Sequence, residues 1–145
     1  MDRRDVGSWI GGPLPEGNSY RGQRLGLPES GPGSMASTGM RVLALFIDWI
    51  SAMLLARLLV RSSSLESIAI LGIFGLQVGL LTWLSGASFG QRIVGLRVVG
   101  RTRRLGFTGS ALRTLLICLL IPPLIWDADG RGLHDRAVDT VVVRA

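Results

Sequence analysis

The chain has 145 residues, of which 48% are hydrophobic, and carries a formal net charge of +6. Its apolar residues are collected in three blocks, 40–60, 68–84 and 114–126, whereas a soluble domain of this size alternates apolar and polar faces. All 16 basic residues are arginines, which we attribute to GC-rich coding, and five of them fall in one loop. This clustering suits membrane topology better than nucleic-acid binding, so we expect a membrane protein with no nucleic-acid partner.

The first predicted region is a Gly/Pro-rich N-terminal tail, residues 1–39, which contains nine of the 20 glycines and four of the six prolines. Such a segment buries too little apolar surface to offset its ordering entropy, so we predict that it is disordered. No apolar stretch follows Arg3 and Arg4, which argues against a signal peptide. Residues 40–145 are predicted to form one membrane domain.

The first helix of this domain, at about 40–60, contains an aspartate within an apolar run of membrane-spanning length. A carboxylate at the centre of a bilayer costs roughly 2.5–3.5 kcal/mol on insertion scales. Arg41, Ala44, Asp48 and Ser51 are spaced by three and four residues, so they share one helical face. We expect this face to contact protein or water, because polar groups in such helices avoid lipid.

The partner of Asp48 is the main open question in the sequence. Arg41 lies seven residues earlier, about 10.5 Å along the axis, which is at the edge of its reach. Gln77, Arg113 or a second subunit are the alternatives. A carboxyl that takes up and releases a proton at this depth suits a proton-coupled carrier, and a carboxylate in a structural hydrogen bond would have the same sequence signature.

The second helix, predicted at about 65–84, carries glycines at helical spacing. Gly75 and Gly79 form a GxxxG pair, and Gly72 lies on the same side. Small residues at this spacing let two helix backbones approach closely. Homodimer formation is one interpretation, and we favour the other, packing against the first helix of the same chain.

The long loop after the second helix sets the predicted topology. It carries the five clustered arginines and no acidic residue, so the positive-inside rule places it, and the N-terminus with it, in the cytoplasm. A third apolar segment, at about 109–126, is interrupted by Pro122 and Pro123. The strand-like runs 96–99 and 140–143 are predicted to pair, which requires both on one side and favours a third segment that does not fully cross.

The predicted fold class is therefore an all-α membrane protein of two to three transmembrane helices, with a basic cytoplasmic loop and short strand-like segments. No catalytic, metal or cofactor site is predicted. Gly86-Ala87-Ser88-Phe89-Gly90 matches the nucleophile string G-x-S-x-G, but that elbow follows a strand and here it follows a helix. The single cysteine, Cys118, is expected to be a packing residue, and we expect no enzyme.

Three motifs together resemble a known family. They are Arg41…Asp48, then Gly86-x-Ser88-x-Gly90-Gln91-Arg92 with Gly95-Leu96-Arg97-Val98-Val99, and finally Leu133-His134-Asp135-Arg136 with Asp139-Thr140-Val141-Val142-Val143. Over residues 40–144 this combination resembles the RDD family of bacterial integral membrane proteins. The departures are Ser88, where the family usually has Thr, and Asp139, where it has Gly.

The RDD resemblance implies which residues form the family signature. The family is named for one arginine and two aspartates, which the resemblance assigns to Arg41, Asp48 and Asp135, with Asp127 as the alternative for the second aspartate. It implies a multi-pass protein of the bacterial plasma membrane with two or three helices. The molecular role of the family is unassigned, with transport suggested.

The first functional hypothesis is a transport-associated protein that exchanges a cation for protons through Asp48, with Arg41 and Asp135 tuning or gating it. The possible supporting residues are Gln77, Arg113 and His134, although His134 is more readily interpreted as part of a helix cap or as a partner of the arginine loop. Two or three helices are too few to enclose a solute path, so this hypothesis predicts a homo-oligomer with the glycine pair at or near the seam.

The second hypothesis is a non-catalytic accessory or scaffold protein that binds a larger membrane protein. The basic loop and the C-terminal strand would then be its cytoplasmic docking surface. The loop would also attract anionic lipid, at about 1 kcal/mol per arginine near the bilayer surface. In this hypothesis the three signature residues are structural.

Overall fold

The computed structural model describes residues 17, 19–61, 64–102, 104–119 and 131–145. These residues form α1 (Thr38–Leu59), α2 (Glu66–Ser85), α3 (Phe89–Val94), β1 (Leu96–Gly100), α4 (Phe107–Cys118), α5 (Leu133–Ala137) and β2 (Thr140–Arg144), preceded by a 3-10 turn, Gln23–Leu25. The chain is mostly helical with one two-stranded sheet, as the sequence predicted.

Two of the helices are long and apolar enough to cross a membrane. By length and composition, α1 with 22 residues and α2 with 20 both qualify, with mean hydropathies of 2.0 and 1.9. At 1.5 Å per residue they span about 33 and 30 Å, the thickness of a hydrocarbon core. The structure begins α1 two residues before the predicted start because Ser37 caps it, accepting a hydrogen bond from the backbone N–H of Met40.

The helices α1 and α2 form an antiparallel hairpin with small residues at their contact. Ala52 and Ala56 of α1 are fully buried, and Phe74 and Val78 of α2 are nearly so. Small side chains on α1 leave room for the larger ones of α2, which brings the two backbones together. Beside the connection between the helices, Arg57 Nε lies 3.0 Å from Glu66 Oε1.

The sheet lies at the other end of this hairpin, next to the start of α1. The strands β1 and β2 are antiparallel, with Leu96 opposite Arg144 and Gly100 opposite Thr140. The predicted pairing of these two runs is therefore confirmed. Positive φ at Gly95 (78°) lets the chain turn sharply from α3 into β1.

Part of the predicted tail is ordered against this sheet, which corrects the prediction of disorder for that part. The backbone N–H of Gly33 donates to the carbonyl of Arg144 at 2.8 Å, and that of Ala36 donates to Val142 at 3.0 Å. The reason is that the outer edge of β2 needs partners for its backbone groups. Residues 1–16 and 18 of the predicted tail lie outside the described residues.

The helix α4 packs on the glycine face of α2, which corrects the expected partner of the glycines. A Cβ on Gly79 would lie 3.1 Å from Thr114 Oγ1, and one on Gly75 would lie 3.5 Å from Cys118 Sγ. The Ser110 hydroxyl donates to the carbonyl of Gly79 at 2.7 Å, which requires this close approach. The glycine pair therefore serves intrachain packing, but against α4 and not against α1.

The third apolar segment, predicted at 109–126, is described only as far as residue 119, so Pro122, Pro123 and Asp127 lie outside the described residues. Its helix α4 starts beside the end of α2, where the Trp83 and Phe107 rings are 5.2 Å apart. By α5 the chain is beside Arg41, near the start of α1. The start of α4 and the helix α5 therefore both lie at the sheet end of the hairpin.

Candidate functional site

Asp48 lies in the middle of α1 and is 1% exposed. Its carboxylate accepts three hydrogen bonds, each from a neutral group. The Ser88 hydroxyl donates to Oδ2 at 2.5 Å, and the Gly90 backbone N–H donates to Oδ1 at 2.7 Å. Gln77 Nε2 also donates to Oδ1, at 3.2 Å. Asp48 thus joins α1 to both α2 and α3 without a salt bridge to any described residue.

The capping box of α3 holds the Ser88 hydroxyl in place. Ser88 is the N-cap, and its Oγ accepts from the Gln91 N–H at 3.3 Å, while Gln91 Oε1 accepts from the Ser88 N–H at 3.0 Å. A serine hydroxyl has one proton to donate. Ser88 Oγ accepts a hydrogen bond from the Gln91 N–H and donates its own proton to Asp48. The N-terminus of α3 is therefore fixed beside the Asp48 carboxylate.

Glycine is required at position 90 by the close approach of α3 to α1. A Cβ there would collide with the carbonyl oxygen of Ala44 and come within 3.1 Å of Asp48 Cγ. Backbone contact at this point lets the Gly90 N–H reach the carboxylate. A hydrogen bond from a backbone amide to an ionised group is among the stronger kinds.

Gln77 connects the carboxylate to the opposite side of the hairpin. Besides Asp48, its Nε2 lies 2.7 Å from Ser51 Oγ, and that hydroxyl donates to the backbone carbonyl of Asp48 at 2.8 Å. The part of the predicted polar face that holds Asp48 and Ser51 is therefore a hydrogen-bonded seam between α1 and α2. Gln77, one of the candidate partners, does contact Asp48.

Asp135 is the centre of a second cluster, which is ionic. It is 0% exposed, and Arg113 Nε lies 2.8 Å from its Oδ1. On the other oxygen, Oδ2, Arg41 NH1 lies at 4.0 Å and His134 Nε2 at 3.5 Å. The Thr140 hydroxyl, at the start of β2, is 3.3 Å from Oδ1. Asp135 thus joins α1, α4 and β2 through α5.

The charges around Asp135 keep it ionised. Complete burial alone would raise its pKa, but the charges of Arg113, His134 and Arg41, together with the hydrogen bond from Arg113, outweigh burial and hold the pKa below the ordinary 3.8. Removal of either side of such a buried pair leaves a charge without compensation. Asp135 is therefore an anion at neutral pH that holds the sheet end together.

The three signature residues are not brought into one cluster. Arg41 lies near Asp135 and not near Asp48, which corrects the direct pairing considered for α1. Side chains on a helix lean toward its N-terminus, so Arg41 points away from Asp48 and toward the sheet, where its NH2 lies 3.4 Å from the carbonyl of Val142. Arg113, another candidate partner of Asp48, forms its salt bridge with Asp135.

Sequence reasoning missed Ser88 and Gly90, which provide the two shortest bonds to Asp48. Both belong to the G-x-S-x-G string, which the sequence does not favour as a nucleophile elbow because a helix precedes it. The hydroxyl of Ser88 is buried and donates to Asp48, and α2 precedes it, so the elbow geometry is not formed at this motif. The signal that could have found them is the capping-box spacing of Ser88 and Gln91.

Among the described residues, no group of three or more His, Cys, Asp or Glu side chains is placed to hold a metal ion. The site therefore contains two buried carboxylates in different surroundings. Asp48 is held by hydrogen bonds, and Asp135 is held by ion pairs. In comparisons with known proteins, no family model, no curated protein and no solved structure matches this chain. The RDD resemblance accordingly rests on the residues quoted for it.

Proposed function

We propose that the chain is an RDD-type integral protein of the bacterial plasma membrane, with α1 and α2 crossing the bilayer. The support is the exposure of apolar side chains on both helices. Only 22% and 17% of their most apolar stretches are buried. The most exposed large side chains on these helices are Phe46, Leu54, Leu58, Leu59, Ile68, Leu76 and Leu84. A patch of this kind on a soluble monomer favours association or precipitation, and lipid removes that cost.

Within this membrane protein we propose a transport-associated role, the exchange of a cation for protons, in which Asp48 is the working carboxylate. The observation that carries the proposal is the difference between the two buried aspartates. Asp135 is compensated by arginine charges, whereas the bonds to Asp48 come from neutral donors among the described residues. A carboxylate that is not in direct contact with a fixed cation can exchange a proton for a mobile cation while its surroundings stay in place.

The oxygen atoms around Asp48 suit a small hard cation. Besides the carboxylate, the hydroxyls of Ser51 and Ser88 lie within the same hydrogen-bonded group, and hydroxyl and carboxylate oxygens are the ligands that such cations prefer. Two long helices enclose no solute path by themselves, so the proposal includes a homo-oligomer. Because α4 occupies Gly75 and Gly79, the seam is expected beside Gly72, where a Cβ meets nothing within 4 Å.

The test is cation-dependent collapse of a pH gradient in proteoliposomes, measured with Na⁺, K⁺ and Li⁺ in turn. The native chain is compared with Asp48→Asn and, as a matched control, with Asp139→Asn, which removes a half-exposed carboxylate that pairs with Arg101 and Arg131. We expect flux from the native chain and from the control and none from Asp48→Asn. Absence of flux from well-folded native protein with all three cations contradicts the transport proposal.

The second candidate function is the accessory or scaffold role, and one observation favours it. Asp48 and Asp135 each tie several elements together, so both carboxylates have an evident structural use. At the sheet end, the exposed arginines Arg92, Arg97, Arg101, Arg104 and Arg144 form a basic surface. A larger membrane protein with an acidic cytoplasmic face fits this surface by charge.

The accessory role makes a different prediction for the same variants. In the accessory role the chain carries no flux of its own. Asp48→Asn should then only lower the amount of folded protein in the membrane. Replacing Arg92, Arg97 and Arg144 together with Gln should release a co-purifying membrane protein that the native chain retains. Retention of that partner by the triple variant, at equal expression, is the outcome against a docking role for the basic surface.

A further inference from the structure

A small, partly open cavity lies between the Asp48 site and the Asp135 cluster. It has a volume of about 30 Å³, and its polar lining includes Asp48, Ser88, Gln91 and Arg113, with Leu45 and Val78 among its apolar walls. A buried water needs about 10–15 Å³ of such volume and two to four polar partners. The space is therefore large enough for about two water molecules and is lined by groups that can bind them.

Arg113 presents a donor that the protein itself does not satisfy. The side chain is 1% exposed, and its Nε is used by Asp135, but its NH1 has no hydrogen-bond acceptor among the described residues. A buried cationic donor that forms no hydrogen bond costs folding free energy. Because Arg113 lines the cavity, an acceptor inside the cavity is the simplest way to satisfy it.

Asp48 presents the complementary acceptor. Its Oδ1 receives two hydrogen bonds, from Gly90 and Gln77, whereas Oδ2 receives one, from Ser88, among the described residues. A carboxylate oxygen has room for two donors. The second position on Oδ2 is therefore open to a donor from the cavity.

We propose that this cavity is a buried water site in which ordered water accepts a hydrogen bond from Arg113 NH1 and donates one to Asp48 Oδ2. The lining carries charges of both signs, the guanidinium groups of Arg41 and Arg113 and the carboxylate of Asp48. A neutral molecule that both donates and accepts satisfies both sides.

The water site joins the two carboxylate clusters. Through it the guanidinium charge of Arg113 is shared between Asp135, by direct contact, and Asp48, by way of water. It also gives Asp48 a partner that can exchange protons. The site does not depend on the transport proposal, because it follows from contacts within the chain, and a chain without flux would retain it.

The first test uses two isosteric substitutions on the same strand. Val142 lines the cavity, and the equally buried Val141 does not. Val→Thr keeps the shape and adds a hydroxyl, which is costly in dry surroundings but is solvated where water is present. We expect Val142→Thr to leave the melting temperature nearly unchanged and Val141→Thr to lower it by roughly 3–10 °C.

The second test detects the water directly in the native full-length chain. X-ray radiolysis of water produces hydroxyl radicals in place, so a buried side chain beside bound water is oxidised. Ile117 lines the cavity, and Phe74, equally exposed at 4%, does not and serves as the internal control. Because phenylalanine is intrinsically the more reactive of the two, labelling of Ile117 above Phe74 requires local water.

Together the two readouts decide the proposal. Labelling of Ile117 above Phe74, with the milder effect at Val142, supports the water site. Equal loss of stability in both threonine variants, with Ile117 unlabelled, overturns it and shows a dry cavity. Where the two readouts disagree, the labelling decides, because it leaves the chain unaltered.

Discussion

Substitution of Gly90 by alanine tests whether the close contact of α3 with α1 holds the Asp48 site together. The new Cβ would collide with the carbonyl oxygen of Ala44 and lie within 3.1 Å of Asp48 Cγ. Neither neighbour can yield easily, because one is helix backbone and the other is fixed by three hydrogen bonds. The start of α3 must therefore move outward and take the Gly90 N–H, now 2.7 Å from Asp48, with it.

The expected size of the effect follows from two contributions. Forcing an extra methyl group into a packed contact costs about 1–3 kcal/mol. Losing a hydrogen bond to a charged group costs about 1.5–3 kcal/mol. A helical Gly→Ala change returns up to about 1 kcal/mol through backbone entropy. The net loss is about 1.5–5 kcal/mol, which corresponds to a melting temperature lower by roughly 5–20 °C.

The assay is thermal unfolding of the purified protein in one detergent, followed by the intrinsic fluorescence of its four tryptophans. The matched control is Gly39→Ala, since that glycine also lies in a helix, α1, and has nothing within 4 Å of a new Cβ. We expect the control to be neutral or slightly stabilising. If Gly90→Ala melts together with the control, the contact between α3 and α1 does not support Asp48 in the way described.

Three further predictions concern the second cluster and the glycine pair. Asp135→Asn should cost about 3–5 kcal/mol in unfolding assays, because it leaves buried arginine charges uncompensated, whereas the half-exposed Asp139→Asn should cost less than about 1 kcal/mol. Equal costs would contradict the ionic role. The pKa of Asp135 in the folded state lies below the unfolded 3.8. Its contribution to the free energy of unfolding is therefore present above pH 3.8 and is lost as the pH falls further. Melting of the native chain at decreasing pH should show this loss, and Asp135→Asn should lack it. Gly79→Leu should push Thr114 and α4 away and lower the melting temperature, with no change in oligomer size by light scattering. A change of oligomer size at unchanged stability would instead show that the glycine pair lies at an oligomer interface.

Much of the framework could be predicted from local patterns. The two long helices follow from uninterrupted apolar runs with a polar face at steps of three and four, and their bounds differ from the predicted ones by at most two residues. The pairing of β1 with β2 follows from two β-branched runs that need a common partner. Each of these signals is contained within a short stretch of sequence, so no knowledge of distant contacts is needed.

The partners of the buried carboxylates were predicted less well. Gln77 was named because it is the polar residue of its helix, and it does contact Asp48. Arg41 was considered on sequence distance, although the lean of helical side chains turns it toward Asp135. The sequence does not predict Ser88 and Gly90 as partners of Asp48, because the G-x-S-x-G string contains no information on which distant helix it contacts.

The sequence by itself determined that a charged face had to be placed within long apolar helices, because length, hydropathy and periodicity are local properties. Only the tertiary structure decided which charge meets which partner. Asp48 and Ser88 are 40 residues apart and Arg113 and Asp135 are 22 apart, so their meeting depends on how the helices that carry them pack together. The physical reason is that a buried carboxylate accepts any donor of suitable geometry, and geometry is set by the packing of whole helices.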